Sequence, residues 1–273
     1  MSPIRICIAG ATGWAGSALA RGVARSEDLE LVSAVSRTHA GSTLDAALEG
    51  GAAIKTGLAV PVHARVEEAL AAHVTDVLVE YTRPGVALAN VMTALRNGVN
   101  VVIGTSGLTD EEYASIDEAA MAAGKGVLAA GNFALTVVLL QRFAEAAAKL
   151  IPHWEIIDYA HAAKVDAPSG TVRELAARLG RAAEAQQAVP LAETRGERAT
   201  RGATMGGAQV HSVRLPGHTL GVEVVFGLDD QRLSLRCDAG TSAEPYVEGA
   251  LLAIRKVGGF TGLRRGLDAV LDS

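Results

Sequence analysis

Ile4-Arg5-Ile6-Cys7-Ile8-Ala9 runs directly into Gly10-Ala11-Thr12-Gly13-Trp14-Ala15-Gly16. A short apolar run of this kind fits a buried strand, and the glycines after it let the chain turn tightly into a helix. Glycine at such a turn also lets backbone N–H groups approach a pyrophosphate, while the start of the following helix offers a favourable field to the anion. The same triplet describes an ordinary strand-to-helix turn. Its place after the first strand favours a nucleotide site.

Some 20 residues further on, NAD-specific folds carry an acidic residue for the ribose hydroxyls. Here the second strand candidate, Leu29–Val35, is followed by Ser36 and Arg37. A neutral residue removes carboxylate repulsion, and a guanidinium suits a 2′-phosphate. NADPH is the expected cofactor, with NADH usable. The plainer reading of Arg37 is a solvated surface side chain.

Outward from this turn, strand candidates at Val77–Tyr81, Val99–Ile103 and Val127–Ala130 alternate with helical patterns. The latter cover Ser17–Arg25, Val66–Ala72, Val86–Asn97 and Asp110–Ala123. That rhythm predicts a mainly parallel sheet. Past Asn132 it changes. A helix over about Ala134–Leu150, a strand at Glu155–Tyr159, a helix to about Glu184, a polar loop at Glu193–Gly207 and strands at Gln209–Leu215, Val222–Phe226 and Arg232–Asp238 suggest an open mixed sheet. A helix at Pro245–Val257 and an apolar tail with Leu263, Leu267, Val270 and Leu271 close the chain. The expected fold is α/β: a Rossmann dinucleotide-binding domain over 1–131, completed by 241–273, and an α+β substrate-binding and oligomerisation domain over 132–240.

The 273 residues are 49% hydrophobic and 20% charged, with a net charge of −5, which argues against nucleic acid or an anionic membrane as partner. Only Cys7 and Cys237 are present, and no Cys/His spacing suits a metal. The sequence shows neither a signal-peptide pattern nor a membrane-length apolar run, so the cytoplasm is the expected location.

Several motifs then agree in order. His161-Ala162-Ala163-Lys164-Val165-Asp166-Ala167-Pro168-Ser169-Gly170-Thr171 resembles the substrate-site signature of the dihydrodipicolinate reductase family. Glu80-Tyr81-Thr82-Arg83-Pro84, Gly104-Thr105-Ser106-Gly107, Asn132-Phe133, and Arg201-Gly202-Ala203 with Val210–Gly217 are similar to further family elements. The resemblance implies a nicotinamide-dependent reductase, by default acting on 4-hydroxy-tetrahydrodipicolinate in lysine biosynthesis, and a homotetramer. It implies cofactor contacts at Gly10 to Gly16, at Arg37, at Gly104, Thr105 and Ser106, and at Ala130, Gly131, Asn132 and Phe133. It also implies a small carboxylated substrate held at His161, Lys164, Ser169, Gly170 and Thr171, with Lys164 and His161 catalytic. Independently, Thr171 with Glu174 fits a capping box, and a helix start beside Lys164 suits a carboxylate.

The departures lie mostly on the substrate side. Where the family has two consecutive His residues, the first a general acid, this chain has Ala160 and His161. Alanine cannot donate a proton. Strand alternation would set Tyr159 and His161 opposite Ala160. The family's His near Arg232–Asp238 is Cys237, expected to pack with Leu233 and Leu235, and Trp14-Ala15 stands where a basic residue and Met are common. Two alternatives therefore stay open: a diverged enzyme acting on another imine, enamine or amino-acid-derived substrate, and a catalytically silent NADP-binding sensor.

Overall fold

In the first unit of the fold, β1 (Ile4–Ala9) leads into α1 (Trp14–Ala24), β2 (Leu29–Val35), α2 (Leu44–Leu48), β3 (Val62–His63), α3 (Val66–Ala72), β4 (Val77–Glu80), α4 (Pro84–Arg96), β5 (Asn100–Ile103), α5 (Asp110–Ala123) and β6 (Gly126–Ala129). The second holds α6 (Leu135–Ala148), β7 (His153–Ala160), α7 (Gly170–Ala182), β8 (Ala203–Met205), β9 (Ala208–Arg214), β10 (Leu220–Leu228) and β11 (Gln231–Ala239). The chain then returns to the first with α8 (Val247–Val257) and β12 (Gly262–Arg265). The computed structural model describes residues 2–48 and 58–271. The units are Met1–Leu135 with Ala243–Ser273, and Thr136–Ser242.

The first unit carries a seven-stranded sheet in the order β12-β6-β5-β4-β1-β2-β3, parallel throughout. Ile6, Cys7 and Ile8 of central β1 are completely buried, as a strand covered on both faces requires. Burial without a partner charge pushes the Cys7 thiol up to about 12. One covering layer packs Val91 and Leu95 of α4 and Ile116 and Ala120 of α5 against Leu78, Val101 and Val127. Each fully buried Leu, Ile or Val contributes roughly 1.5–3 kcal/mol relative to an exposed one. Reciprocal bonds cap α5: Thr109 N–H donates to Glu112 at 2.8 Å and Glu112 N–H to the Thr109 hydroxyl at 3.2 Å.

The second unit has a five-stranded mixed sheet, β11-β10-β7-β9-β8, in which only β7 and β9 run parallel. Along β7, Trp154, Ile156, Asp158 and Ala160 are buried, while His153, Glu155, Ile157 and Tyr159 point the other way and are half-buried. The buried face meets Leu140 and Ala144 of α6 and Val172, Leu175 and Leu179 of α7.

The expected α/β class is the observed one. The apolar tail, given no element from sequence, forms β12 at Gly262–Arg265, paired with β6, and a short 3-10 turn at Leu267–Val270. Gly262-Leu263-Arg264-Arg265 lacks the unbroken apolar run that marks the other short strands. The polar loop starts on the last residue of a 3-10 turn, Leu191–Glu193, and contains a second, Arg198–Arg201, and β8.

Candidate active site

The turn after β1 is shaped by close backbone approach. Gly10 has φ +84°, and a Cβ there would lie 2.4 Å from the Tyr81 carbonyl oxygen. A Cβ on Gly16 would lie 2.2 Å from the Gly10 oxygen, so α1 is drawn against the turn as only glycine permits. Gly13 is the N-cap and brings no side chain to the first-turn N–H groups, which stay open to an anion. This cradle fits a dinucleotide pyrophosphate. Ala11 is buried, and Trp14 is 59% exposed with its ring edge-on to Tyr246 at 5.6 Å.

At the end of β2 the Ser36 hydroxyl lies 2.9 Å from that of Thr12, 3.3 Å from that of Thr38 and 3.3 Å from His39 Nδ1. The structure thus ties the glycine turn to the segment expected to meet the 2′-phosphate. Arg37 is exposed and forms no ion pair among the described residues.

A cavity of about 350 Å³ opens at the carboxyl ends of the central strands. Trp14 and Ala15 line it from α1, Tyr81, Thr82 and Pro84 from after β4, and Gly104, Thr105 and Ser106 from after β5. Gly131, Asn132 and Phe133 after β6 and Tyr246 before α8 complete the wall. Ala130 is buried behind it, with its N–H on the Ile103 carbonyl at 3.0 Å. Beneath lies Glu80, wholly buried. Burial pushes its carboxyl above the ordinary range, and bonds from Thr82, Asn90 and Thr105 pull it back. A larger hollow of about 910 Å³ lies along the second unit's sheet beside residues 185–195, and none of the expected site residues lines it.

In the second unit, β7 ends at Ala160, fully buried beside Arg214 of β9 and Leu220 of β10. Tyr159 lies on the opposite face, as alternation requires, with its hydroxyl on Glu223 at 3.0 Å. His161 falls past the strand's end and is exposed, so strand alternation does not govern it. Lys164 Nζ is 2.7 Å from Asp166, and that bond holds the Asp166 carboxyl below its usual range. Sequence reasoning missed the support beneath this loop. Buried Asp158 pairs with Arg214 at 2.6 Å and accepts the Ser169 N–H at 2.8 Å, while Arg214 also donates to the Asp166 carbonyl at 2.8 Å. The one available signal was a charged residue on the inward register of a strand.

Two expectations are corrected. The cap of α7 is Ser169, whose hydroxyl accepts the Val172 N–H at 3.3 Å, and not a Thr171–Glu174 box. Only Thr171 satisfies the box pattern, since Val172 stands three residues after Ser169; the Asp158 bond to the Ser169 N–H fixes the helix start at the earlier hydroxyl. Gly170 is exposed and Thr171 half-buried in the first turn. Leu233 is 42% exposed, so Cys237 packs against Leu235 and the helix layer without it, its Sγ 3.2 Å from the Thr136 hydroxyl.

Family models described as dihydrodipicolinate reductase, N-terminus and C-terminus, match residues 4–133 and 136–271. The chain belongs to the dihydrodipicolinate reductase family. It is 38% identical to 4-hydroxy-tetrahydrodipicolinate reductase of Moorella thermoacetica, over 100% of this chain and 99% of the relative. Identity to the Halalkalibacterium halodurans reductase is 35%, over 98% and 100%. The dipicolinate-bound dihydrodipicolinate reductase of Paenisporosarcina sp. TG-14 superposes with a TM-score of 0.88 at 31% identity, covering 98% of this chain and 100% of that one. An amine dehydrogenase of Mycobacterium smegmatis shares the fold alone, with a TM-score of 0.65 at 15% identity over 97% and 95% of the two chains. As a member of the dihydrodipicolinate reductase family the chain is a pyridine-nucleotide-dependent oxidoreductase. Among the described residues no helix is long and apolar enough to cross a membrane, and no group of three or more His, Cys, Asp or Glu side chains is placed to hold a metal.

Proposed function

We propose that the chain is an NADPH-preferring, cytoplasmic, homotetrameric reductase of a carboxylated cyclic imine or enamine, with 4-hydroxy-tetrahydrodipicolinate as the first candidate. The observation that carries this is the Lys164–Thr171 loop, held by Asp158 and Arg214 against the start of α7. Lys164 offers a cation, and the α7 N-terminus offers N–H groups at Gly170 and Thr171, to a substrate carboxylate. His161, exposed at the loop's entry, adds a second polar contact. With the dinucleotide's pyrophosphate in the glycine cradle, its reduced nicotinamide would supply the hydride. Ser36 and Arg37 support the phosphorylated form, because neither repels a 2′-phosphate and Arg37 can pair with it.

The buried methyl of Ala160 favours a second reading of the protonation step. A proton must reach the substrate from His161, Lys164 or water, and a substrate other than the family's becomes a direct competitor. The exposed Leu228 and Leu233 on the second unit's sheet support association through that unit.

NADPH oxidation with 4-hydroxy-tetrahydrodipicolinate and a panel of carboxylated cyclic imines tests the reading. Lys164→Ala should abolish most turnover and leave NADPH affinity unchanged. Nucleotide binding without turnover on any substrate would replace the reductase by a sensor. Full activity of Lys164→Ala would remove Lys164 from the site.

A further inference from the structure

Glu80 ends β4 wholly buried, and among the described residues no cation pairs with it. Four donors converge on it instead: the Thr82 N–H at 2.7 Å, the Thr82 hydroxyl, the Asn90 amide at 2.8 Å and the Thr105 hydroxyl at 3.3 Å. Thr82 belongs to the loop after β4, Asn90 to α4 and Thr105 to the loop after β5. Thr82 and Thr105 line the cavity. The Thr82 N–H can only donate, and Asn90 turns its NH₂ toward the other oxygen, so each carboxylate oxygen receives a donor, an arrangement that suits an ionised group.

We propose that Glu80 is a positioning residue for the nicotinamide end of the cofactor, and that its buried charge favours the oxidised form. The inference rests on the nucleotide reading of the glycine turn. A hydride leaves the reduced ring with both bonding electrons, and the ring left behind carries a positive charge. A fixed anion behind the loops that cradle the ring attracts that charge and has no such attraction for the neutral reduced ring. In a water-poor interior this difference is not screened away. Glu80 thereby stabilises the state in which positive charge develops, and it fixes two cavity loops through one group.

The test is calorimetric titration of the full chain with NADP⁺ and with NADPH, in wild type and in Glu80→Gln, alongside steady-state turnover. Gln keeps the size and one acceptor oxygen, and the Asn90 amide can reverse to meet it. The affinity for NADP⁺ should fall on the order of tenfold while that for NADPH changes by less than about threefold, and kcat should fall more than KM rises. Glu80→Asp restores the charge and should keep the wild-type ratio of the two affinities within about twofold, even with both weakened. It decides the matter where the Gln variant does not fold. Equal losses for both nucleotides in Glu80→Gln, or an altered ratio in Glu80→Asp, would overturn the proposal. Failure of the wild-type chain to bind either nucleotide would overturn the nucleotide reading itself, and this inference with it.

Discussion

Replacing Asp158 tests whether the substrate loop is held by one buried ion pair. Its side chain is 2% exposed and that of Arg214 15%, so both charges are out of bulk water. The bonds from Arg214 at 2.6 Å, from the Ser169 N–H at 2.8 Å and from the Ser212 hydroxyl at 3.4 Å all end on the same oxygen, Oδ2. Asp158→Ala removes all three and leaves the guanidinium buried beside a methyl group, which costs about 3–5 kcal/mol for a broken buried pair. Asp158→Asn can place its amide oxygen where Oδ2 was. It keeps the geometry and loses only the charge assistance, so about 1–2 kcal/mol is expected. Against a typical stability of about 5–15 kcal/mol, the Ala variant folds marginally and the Asn variant comfortably. Urea unfolding followed by circular dichroism reads both, with the midpoint shifting and the slope constant. The KM for the carboxylated substrate should rise in the same order, because freeing Ser169 and Asp166 loosens the loop that presents Lys164. An Asp158→Ala variant within about 1 kcal/mol of wild type would refute the reasoning, as would an Asn variant as damaged as the Ala one.

Arg37→Ala should weaken NADPH by about 1.5–3 kcal/mol and leave NADH untouched; equal losses in paired titrations would sink the 2′-phosphate assignment. Ala160→His puts an imidazole where a buried methyl lies, at a packing cost of about 1–3 kcal/mol. If only the acid is lacking, turnover of 4-hydroxy-tetrahydrodipicolinate should rise about 100- to 10,000-fold. A folded variant with no gain in NADPH oxidation means a pocket remade for another substrate. The hydrogen bond from Arg5 holds the Asp76 carboxyl below its ordinary range. Its contribution is therefore complete above the unfolded pKa, about 3.9, and is lost as pH falls through the lower folded value. The pair is 39–40% exposed, so Asp76→Asn should flatten the acid limb of a thermal-melt series by well under about 1 kcal/mol.

The parallel sheet was legible wherever a period ran long enough. Ile4–Ala9, Leu29–Val35, Val66–Ala72 and Asp110–Ala123 read from sequence have the observed bounds. The short strands β4, β5 and β6 were legible as unbroken apolar runs, whereas β3, β8 and β12 were not, because Val62-His63, Ala203-Thr204-Met205 and Gly262-Leu263-Arg264-Arg265 hold no such run. The start of α1 was read three residues late because its cap is Gly13, which carries no capping side chain to recognise. The candidate cofactor residues are contiguous motifs, and the structure brings Trp14, Ala15, Gly104, Thr105, Ser106, Gly131, Asn132 and Phe133 together along one cavity. What could not be read is partnership. Asp158 and Arg214 are 56 residues apart, and Glu80 meets Asn90 and Thr105 at separations of 10 and 25. Nothing local to any of these residues names its partner.

The sheet of the first unit has a birth order that differs from its spatial order. Its strand β12 pairs with β6 and its helix α8 lies against α1 and β5, yet both follow residues 136–242 in the chain. During synthesis β6 therefore waits with a bare edge while the whole inserted unit, whose own elements are contiguous, leaves the ribosome. That unit can complete its core first, and the earlier-made half is sealed last by a segment that closes a long loop, a closure whose entropic cost grows only slowly with length. Nascent chains stalled with residue 242 just emerged should resist protease across 136–242 and be cut within 4–135, and release of residues 243–271 should protect both.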